Sequence, residues 1–333
     1  MAQVSIVILN WNGRHHLERF LPSVVEHATS RAEVVVADNG STDDSITWLA
    51  EHYPQVRVIP LDRNYGFAGG YNRALRDIDA NYCVLLNSDV EVTAGWWQPL
   101  VEILDAQEDV AAVAPKLLAV NERGRFEYAG AAGGFIDYLG YPFCRGRILS
   151  TVETDEGQYD DARDIFWGSG AALCCRREVF LDMGGFDESF FAHMEEIDLQ
   201  WRMQLAGWRI MVEPRSVVYH LGGGTLPASA RKIYLNHRNN LAMLFKCASP
   251  MQRMVVAVVR PVTDMAAALA HLITLHPQRA WAVFRAWGTF IAWHRRLGRE
   301  RRGIRRVKKV DNIYRFSIVV RYLCGKRRFN NML

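Results

Sequence analysis

Residues 84–92 read VLLNSDVEV, an apolar run that changes abruptly into polar residues. Its first three residues have the continuous apolar character of a strand that is buried on both faces. The polar cluster Asn87-Ser88-Asp89 that follows has two interpretations. Taken alone it favours a turn, since Asn, Ser and Asp bond to their own backbone. In an open α/β sheet, however, the carboxyl end of a strand is also where ligands bind.

Strand and helix patterns alternate through the first third of the chain. The sequence predicts strands over 4–9, 33–38, 56–60 and 82–86, and helices over 14–27, 43–52 and 69–79. Repeated strand–helix–strand units imply a parallel sheet with right-handed crossovers. No internal repeat or low-complexity tract is present. The chain of 333 residues is long enough for one large domain, or for one domain with an appendage.

Two of these strands end in polar clusters. The second ends at Asp38 and continues as Asn-Gly-Ser-Thr-Asp, and the fourth ends at Asn87 to Asp89. Parallel strands bring their carboxyl ends to one edge of the sheet, so we expect Asp38 and Asp89 to lie near each other. Two independent turns would not require this arrangement, whereas a polar ligand carried with a metal would. The rest of the chain therefore favours the ligand-site interpretation.

Residues 120–220 show weaker helix and strand patterns than the first third of the chain. Residues 120–165 are rich in Gly, Tyr and Asp, and we interpret them as an irregular insertion. Apolar residues four apart predict a helix within 192–208, ending near Gly207. Two short strands are predicted over 210–212 and 217–219, the second ending at His220.

Several common nucleotide sites and enzyme classes are excluded. The first strand is followed by Asn10-Trp11-Asn12-Gly13, which lacks the Gly-x-Gly-x-x-Gly of dinucleotide-binding folds. The chain has no Walker A sequence and no Gly-x-Ser-x-Gly elbow of serine hydrolases. No Cys-x-x-Cys pair is present, and the six cysteines are expected to be reduced residues of a cytosolic protein. The N-terminus does not have the pattern of a signal peptide.

Eight segments in one order carry a family resemblance: SIVILNWNG, VVVADNGSTDDS, NYGFAGGYNRAL, VLLNSDVEV, GSGAALCCRREVF, GGFDESFF, EEIDLQWR and VVYHLGGGT, within residues 4–225. Together they resemble a family 2 glycosyltransferase of the GT-A fold. The chain is most similar to bacterial rhamnosyltransferase-like members that build cell-envelope polysaccharides. The resemblance implies a mainly parallel, Rossmann-like α/β sheet flanked by helices over residues 1–246, with a nucleotide-sugar half (about 1–120) and an acceptor half (about 121–246).

The resemblance assigns donor-site roles to individual residues. Such enzymes bind a nucleotide-diphosphate sugar with Mg²⁺ or Mn²⁺, which neutralises the leaving diphosphate. Asp89 matches the last Asp of the family's Asp-x-Asp motif, and His220 matches a histidine that completes the metal shell. Asn87 replaces the first Asp of that motif, which leaves a single carboxylate for the metal. The predicted nucleotide-sugar contacts are Asn10, Asn12, Asp38, Asn64, Asn72 and Asn87, and Asp38 matches the contact to the nucleobase.

The acceptor side of the resemblance includes the general base. Relatives often carry Glu-Asp where this chain has Glu195-Glu196. Glu196 would therefore deprotonate the acceptor hydroxyl, with Asp198 as a reserve candidate. We expect Trp167, Gly168, Ser169 and Glu195 to border the acceptor. Taken alone, these acidic residues would indicate a solvated helix face.

The C-terminal region, residues 247–333, differs in charge from the body. It contains 18 Lys and Arg against 3 Asp and Glu, whereas residues 1–246 contain 22 against 33. Nine of these basic residues fall within 295–309, after an aromatic-rich amphipathic helix. This pattern predicts a peripheral contact with an anionic membrane surface. The alternative is a helical cap on the catalytic domain with a solvated basic face.

No transmembrane helix is predicted, because Arg260, Pro261 and Asp264 leave a charge-free stretch of only 265–275. No recognisable nucleic-acid module is present, so we expect no nucleic-acid partner. The expected function is inverting transfer of a sugar, with rhamnose the best candidate, to a glycan or lipid-linked acceptor at the cytoplasmic face of the plasma membrane. A nucleotidyltransferase and a non-catalytic nucleotide-sugar-binding scaffold are the alternatives.

Overall fold

The computed structural model describes residues 2–222 and 229–332, so the last residues of the VVYHLGGGT segment lie outside the described part. The strands are β1 (Ala2–Asn10), β2 (Ala32–Asp38), β3 (Arg57–Pro60), β4 (Ala80–Asn87), β5 (Val90–Val92), β6 (Val110–Ala119), β7 (Gly134–Ile136), β8 (Pro142–Cys144), β9 (Arg147–Ile148), β10 (Thr151–Val152), β11 (Arg163–Asp164), β12 (Ala172–Arg176) and β13 (Arg209–His220). The helices are α1 (Arg14–His27), α2 (Ser45–His52), α3 (Gly66–Ala74), α4 (Gln98–Ala106), α5 (Arg177–Asp182), α6 (Glu195–Leu205), α7 (Ala230–Cys247), α8 (Pro250–Ile273), α9 (Pro277–Gly303) and α10 (Ile318–Leu323).

The main sheet has the order β11-β13-β6-β12-β4-β1-β2-β3, with β5 added beside β13. Strands β4, β1, β2 and β3 are mutually parallel, and β13 is parallel to β6. Strand β12 runs antiparallel between β4 and β6 and joins the two parallel groups. The sheet is therefore mixed and mainly parallel, and the fold-class prediction is confirmed.

Alternating side chains divide the core between the two faces of this sheet. In β1, Ile6 and Ile8 pack on the face covered by α1, α2 and α4, and Val7 packs on the opposite face. Helices α3, α5 and α6 contribute to that opposite face through residues such as Tyr71 and Leu199. Helix α6, which carries the predicted base, is thus held by its apolar side against the sheet.

Two local predictions are wrong. Residues 120–165 are not wholly irregular, because β7 to β10 form a small antiparallel sheet within them. The two strands expected over 210–212 and 217–219 are one strand, β13, whose register to β6 shifts between Glu213 and Val217. The Glu-Pro-Arg-Ser segment indicated a break, but a bulge carries the strand past it.

The C-terminal helices pack on the catalytic body. Helix α7 contains the expected domain boundary near residue 246, and α9 lies against it. Phe329 and Met332, close to the end of the chain, are buried in the same core cluster as Phe126 and Phe143. This shared core makes the tail part of the folded body, and the assignment of separate domains stays a prediction.

Within the described residues, one helix is long and apolar enough to cross a membrane by length and composition. This helix is α8, and the expectation that no helix crosses the membrane stays a prediction, because length and composition alone do not show a span. The sequence prediction treated Arg260 and Asp264 as charges that end the apolar stretch. In the structure these residues pair with each other, at 3.2 Å, on the inward side of the helix.

Candidate active site

A cleft of about 510 Å³ opens beside the carboxyl ends of the central strands. Its walls come from the end of β4, the loop before β12, the start of α6, the loop after β6, the end of β13 and the first turn of α7. The residues predicted from the sequence that line it are Asn87, Ser169, Glu195, Glu196 and His220. These residues are up to 133 positions apart in the chain. The fold therefore brings together the predicted base and part of the predicted metal site.

Strand register places Asp89 beside His220. Residue Val90 of β5 pairs with His220 of β13, and the Leu221 amide donates to the Asp89 carbonyl. The two side chains are buried and lie 3.2 Å apart, from imidazole Nε2 to carboxylate Oδ1. Glu127 approaches the other ring nitrogen at 3.4 Å. One imidazole is thus flanked by two buried carboxylates, of which Glu127 lines the cleft and Asp89 does not.

The electrostatics of this cluster favour a charged histidine. Burial lowers the pKa of His220, but the hydrogen bonds and charges of Asp89 and Glu127 outweigh burial and raise that pKa to about 10. Burial also opposes ionisation of Asp89, yet the hydrogen bond from His220 holds its pKa below the usual value. The pair is an imidazolium–carboxylate ion pair, from which a metal would displace the proton.

The donor set at this position suits a divalent cation that shares its shell with a substrate. Within residues 2–222 and 229–332, no group of three or more His, Cys, Asp or Glu residues could hold a metal. Asp89 and His220 supply two adjacent ligands, a carboxylate oxygen and an imidazole nitrogen. Mg²⁺ is commonly held by one or two carboxylates together with substrate phosphates, and Mn²⁺ accepts similar oxygen ligands. The residues present fit such a shared site.

On the donor side, a closed network of side chains joins the ends of β1 and β2. Asp38 is buried and accepts hydrogen bonds from Asn10 at 2.9 Å, from the Ser41 amide at 2.9 Å and from the Ser41 hydroxyl at 2.6 Å. The Asn12 side chain accepts from the Thr42 amide at 2.7 Å. Asn10, Asn12 and Asp38 do not line the cleft, and their nucleotide-sugar contacts, including that of Asp38 to the nucleobase, stay predictions.

The remaining predicted donor residues also serve local structure. Asn64 accepts from the Gly66 amide at 2.7 Å and thereby fixes the turn before α3. Asn72 is buried and exchanges two hydrogen bonds with the backbone of Phe186, at 2.8 and 2.9 Å. Neither residue lines the cleft, and their nucleotide-sugar contacts stay predictions. Asn87 does line it, at the end of β4.

The first turn of α6 holds two carboxylates, each with one oxygen that lacks a hydrogen-bond partner. Glu195 and Glu196 both line the cleft, and each has a buried Oε2 without a hydrogen bond. Burial and the neighbouring carboxylate raise the pKa of Glu195 well above its usual value. Burial raises the pKa of Glu196 to about 7, although helix N-terminal amides oppose that rise. An unpaired carboxyl with a pKa near neutrality has the properties of a general base.

Asp198, the reserve base candidate, forms ion pairs away from the cleft. Its side chain is fully buried, and it pairs with Arg202 at 2.9 Å and with Lys246 of α7 at 3.0 Å. Lys246 also binds Asp187 at 2.6 Å. Asp198 does not line the cleft and cannot receive a proton from an acceptor there. Its contacts fix α6 to α7, which leaves Glu196 as the better-placed base.

The family model described as Glycosyl transferase family 2 matches residues 5–179, more than half of the chain. The chain belongs to this family. An N-acetylglucosaminyl-diphospho-decaprenol L-rhamnosyltransferase of Mycobacterium tuberculosis (strain H37Rv) is 29% identical over 255 residues, which cover 72% of this chain and 83% of the relative. The O-antigen biosynthesis protein RfbC of Myxococcus xanthus is 27% identical over 56% of this chain and 15% of its own length. The protein is a glycosyltransferase, so the nucleotidyltransferase interpretation is set aside.

Solved structures confirm the GT-A fold. GalNAc-T7 with UDP, GalNAc and Mn²⁺ superposes with a TM-score of 0.61 at 17% identity, over 78% of this glycosyltransferase and 51% of that chain. Staphylococcus aureus TarS 1–349 in complex with UDP-GlcNAc gives 0.59 at 16% identity, over 90% and 83%. At such identities the likeness concerns the fold alone.

The loop predicted to border the acceptor is mainly buried. The Trp167 indole donates to the Phe135 carbonyl at 2.9 Å, and Gly168 exchanges backbone hydrogen bonds with the Gln200 side chain at 2.6 and 2.8 Å. Of this loop, Ser169 lines the cleft whereas Trp167 and Gly168 do not. The latter two anchor the loop to the glycosyltransferase core, and their acceptor contacts stay predictions.

Sequence reasoning missed several residues of the cleft. Glu127 lies in the segment interpreted as irregular, and neither a motif nor a periodic pattern marked it. His193 and Lys232 also line the cleft, from the loop before α6 and from the start of α7. Their positions depend on how α7 returns to the sheet edge, a tertiary feature without a local sequence signal.

Proposed function

We propose that this glycosyltransferase catalyses an inverting transfer of a hexose, with rhamnose the preferred candidate, from a nucleotide-diphosphate sugar to a hydroxyl of a cell-envelope glycan or lipid-linked glycan. The single observation that carries the proposal is the cleft itself. Its walls present Glu196, whose carboxylate has an unpartnered oxygen, and His220, which pairs with the buried Asp89 in an arrangement that suits a metal-bound diphosphate. The rhamnosyl group and the lipid-linked acceptor are taken from the name of the mycobacterial relative.

In the proposed reaction, Glu196 accepts the proton of the acceptor hydroxyl. The acceptor oxygen forms a bond to the anomeric carbon as the bond from that carbon to the phosphate oxygen breaks. The electron pair leaves with the nucleotide diphosphate. Asp89 and His220 would hold Mg²⁺ or Mn²⁺, and such a cation, when bound, neutralises the charge of the departing diphosphate.

Glu196 must be ionised to accept the proton, and its burial determines the pH range in which it is ionised. A carboxylate with a pKa near 7 is a stronger base than an exposed one, yet it is still substantially ionised at neutral pH. Burial and the charge of Glu196 disfavour ionisation of its neighbour Glu195, whose pKa is raised well above the usual value, and a protonated Glu195 could donate a hydrogen bond to the acceptor. The two carboxyls thereby take different roles.

A thermal-shift screen of nucleotide sugars with and without Mn²⁺ tests the donor, because a ligand that binds only the folded state raises the melting temperature. We expect dTDP-rhamnose with Mn²⁺ to give the largest shift. Transfer is then measured by mass spectrometry on an N-acetylglucosaminyl-diphospho-lipid acceptor. Donor binding without any transfer or donor hydrolysis would favour the scaffold alternative. If no nucleotide sugar bound, the proposal would be wrong.

We further propose that the enzyme works at the cytoplasmic face of the plasma membrane as a peripheral protein. The basic C-terminal region supports this location, since anionic lipids attract clustered Arg and Lys. A lipid-linked acceptor would also require the cleft to approach a bilayer.

A further inference from the structure

Helix α8 buries several polar side chains and exposes most of its large apolar ones. The side chains that it buries against the body include Gln252, Arg260 and Asp264, of which Arg260 and Asp264 are each 2% exposed. The side chains that it presents outward are apolar, and Val258 and Ile273 are 72% and 73% exposed. The outward apolar residues are Met251, Met254, Val258, Val262, Met265, Leu269, Leu272 and Ile273. A helix of a soluble domain normally has the opposite arrangement.

Apolar side chains are also exposed on α9. A short connection that includes Leu275 joins the two helices, and Trp287 of α9 donates to Asp264 of α8 at 3.0 Å. Trp281, Phe284 and Ile291 of α9 are exposed. We call the outward side chains of α8 and these residues of α9, together with Leu275, the hairpin face. Exposed apolar side chains in this number on two packed helices mark an interaction site.

The polar side of α8 is fixed to the catalytic body. The Gln252 side chain donates to the Tyr138 carbonyl at 3.0 Å, and Arg260 donates to the Leu139 carbonyl at 3.0 Å. The Tyr141 hydroxyl donates to Thr263 at 2.9 Å. A helix that crossed a bilayer would have to break these contacts and expose the Arg260–Asp264 pair to lipid. The hairpin therefore keeps its place and presents only one side.

The charges beside the hairpin face distinguish between possible partners. On α9, exposed residues recur three or four positions apart, which places them on one side of the helix. Along this side Trp281, Phe284 and Ile291 are followed by Arg295, Arg299 and Arg302. The acidic residue of α8, Asp264, is buried and paired. A second copy of this chain would bring like-charged borders together, whereas anionic lipid headgroups would neutralise them.

We propose that the hairpin face lies in the plane of an anionic bilayer as a monotopic membrane anchor. Its apolar side chains enter the boundary between headgroups and acyl chains, and Arg295, Arg299 and Arg302 contact the headgroups. This differs from attraction by the 295–309 cluster alone, because part of that cluster is structural. Arg301 donates to the Phe245 carbonyl at 3.1 Å, and Arg306 donates to the Cys247 carbonyl at 2.9 Å, both at the end of α7.

Flotation of the full chain with vesicles of phosphatidylglycerol and phosphatidylethanolamine tests the anchor. Leu269→Gln/Ile273→Gln changes two exposed side chains of the hairpin face. We expect vesicle binding to fall by about tenfold or more, since each large apolar side chain that leaves the bilayer weakens partitioning. The matched control, Val320→Gln/Leu323→Gln on α10, changes two residues that are equally exposed, and should bind like the unaltered protein.

Four further measurements complete the test. Arg295→Gln/Arg299→Gln/Arg302→Gln should weaken binding to these vesicles, and added salt should weaken binding of the unaltered protein. Equal melting temperatures would show that the variants are folded. Binding of Leu269→Gln/Ile273→Gln at the unaltered level would overturn the proposal. So would a lipid-free dimer, measured by light scattering, that these two substitutions convert to monomer.

The vesicle assay contains no sugar nucleotide, so its outcome is separate from that of the proposed reaction. An enzyme that transfers sugar to a soluble acceptor but fails to bind vesicles would leave the glycosyltransferase proposal standing and remove the anchor. A protein that binds vesicles but transfers no sugar would leave the anchor standing and remove the glycosyltransferase proposal.

Discussion

The predicted donor side and the acceptor side of the cleft differ in how fully their polar groups are hydrogen-bonded. On the donor side, Asp38, Asn10, Ser41 and Asn12 are joined in a network of short hydrogen bonds, in which the Asn10 Oδ1 alone is buried without a partner. On the acceptor side, Glu195 and Glu196 keep unpartnered oxygens at the start of α6. A densely bonded network holds a pocket in one shape, whereas unpaired buried carboxyls are typical of groups that take part in chemistry.

The backbone differs in the same direction: in the donor-side network only Asn12 has a positive φ, of 48°. Three residues just before α6 that are not glycine, Phe191, His193 and Met194, have φ values of 66°, 71° and 71°. Such conformations cost energy and persist only where surrounding contacts impose them. The Asn239 side chain of α7 supplies those contacts by donating to the carbonyls of Phe190, Ala192 and His193 at 3.1, 3.0 and 2.7 Å. The comparison suggests that donor-side changes alter binding and acceptor-side changes alter turnover.

Replacement of the base should have the largest effect. Glu196→Gln should lower the transfer rate by about 10²- to 10⁴-fold and leave donor affinity unchanged, because the amide cannot accept the proton. In the unaltered enzyme the rate should rise with pH through about 7, since the raised pKa of Glu196 keeps it protonated below that pH. Initial rates at saturating donor, measured across this pH range, check both statements.

Glu195→Gln is the matched control for that variant. Burial and the neighbouring carboxylate raise the pKa of Glu195, and its amide replacement preserves the size of the side chain. We expect most of the activity and the same midpoint of the pH profile. Full activity in Glu196→Gln, or its loss in Glu195→Gln, would reverse the assignment of the two roles.

The strained loop should give the next largest effect. Asn239→Ala removes the amide that holds the segment before α6, so the first turn of that helix would lose its fixed position. We expect kcat to fall by about ten- to a hundredfold, because small misplacements of a catalytic group are costly. The KM for the donor should change little. Kinetics at varied donor concentration, together with urea unfolding, measure both.

Asn312→Ala separates positioning from a general loss of stability. Its side chain donates to the Ile165 carbonyl at 3.2 Å and to Gln204 at 3.0 Å, so the variant also loses two amide hydrogen bonds. These bonds do not reach the strained loop. If Asn312→Ala lowered kcat as much as Asn239→Ala at an equal loss of stability, the loop would have no specific role.

Much of the donor side could be predicted from the sequence because it depends on local and parallel-strand geometry. Continuous apolar runs identified β1, β2 and β4, and parallel pairing then required their polar ends to meet. Asn10 pairs in register with Asp38, and Leu9 with Asn87, as that reasoning requires. The family resemblance added His220, whose place beside Asp89 follows from the pairing of β5 with β13.

The acceptor side and the hairpin could be predicted only in part. The partners of Asp198 come from α6 and α7, and no spacing rule connects Asp198 to Lys246. The sequence shows that α8 carries two opposite charges within an apolar stretch, but only packing shows that these charges face inward. Glu127 reaches His220 through a loop whose path depends on tertiary contacts. Features of this kind arise when distant segments pack, and a local pattern does not encode them.

The smallest expected effect lies on the donor side. The Ser41 hydroxyl donates to Asp38 at 2.6 Å and accepts from the Asn12 amide at 2.8 Å, so Ser41→Ala opens the network at one point. We expect donor affinity to fall by roughly three- to tenfold, which corresponds to one net hydrogen bond, with kcat unchanged. Calorimetric titration with the donor nucleotide and steady-state kinetics measure the two quantities.

Ser45→Ala is the control for Ser41→Ala, because the Ser45 hydroxyl makes a comparable bond to Asp43, at 2.5 Å, at the start of α2 and outside the network. If it weakened donor binding as much as Ser41→Ala, the network would have no special part in forming the pocket. If Ser41→Ala lowered kcat and spared affinity, the division between a binding side and a reacting side would be wrong. Weaker donor binding with an unchanged kcat would instead show that the network acts on donor binding, by holding the donor pocket in one shape.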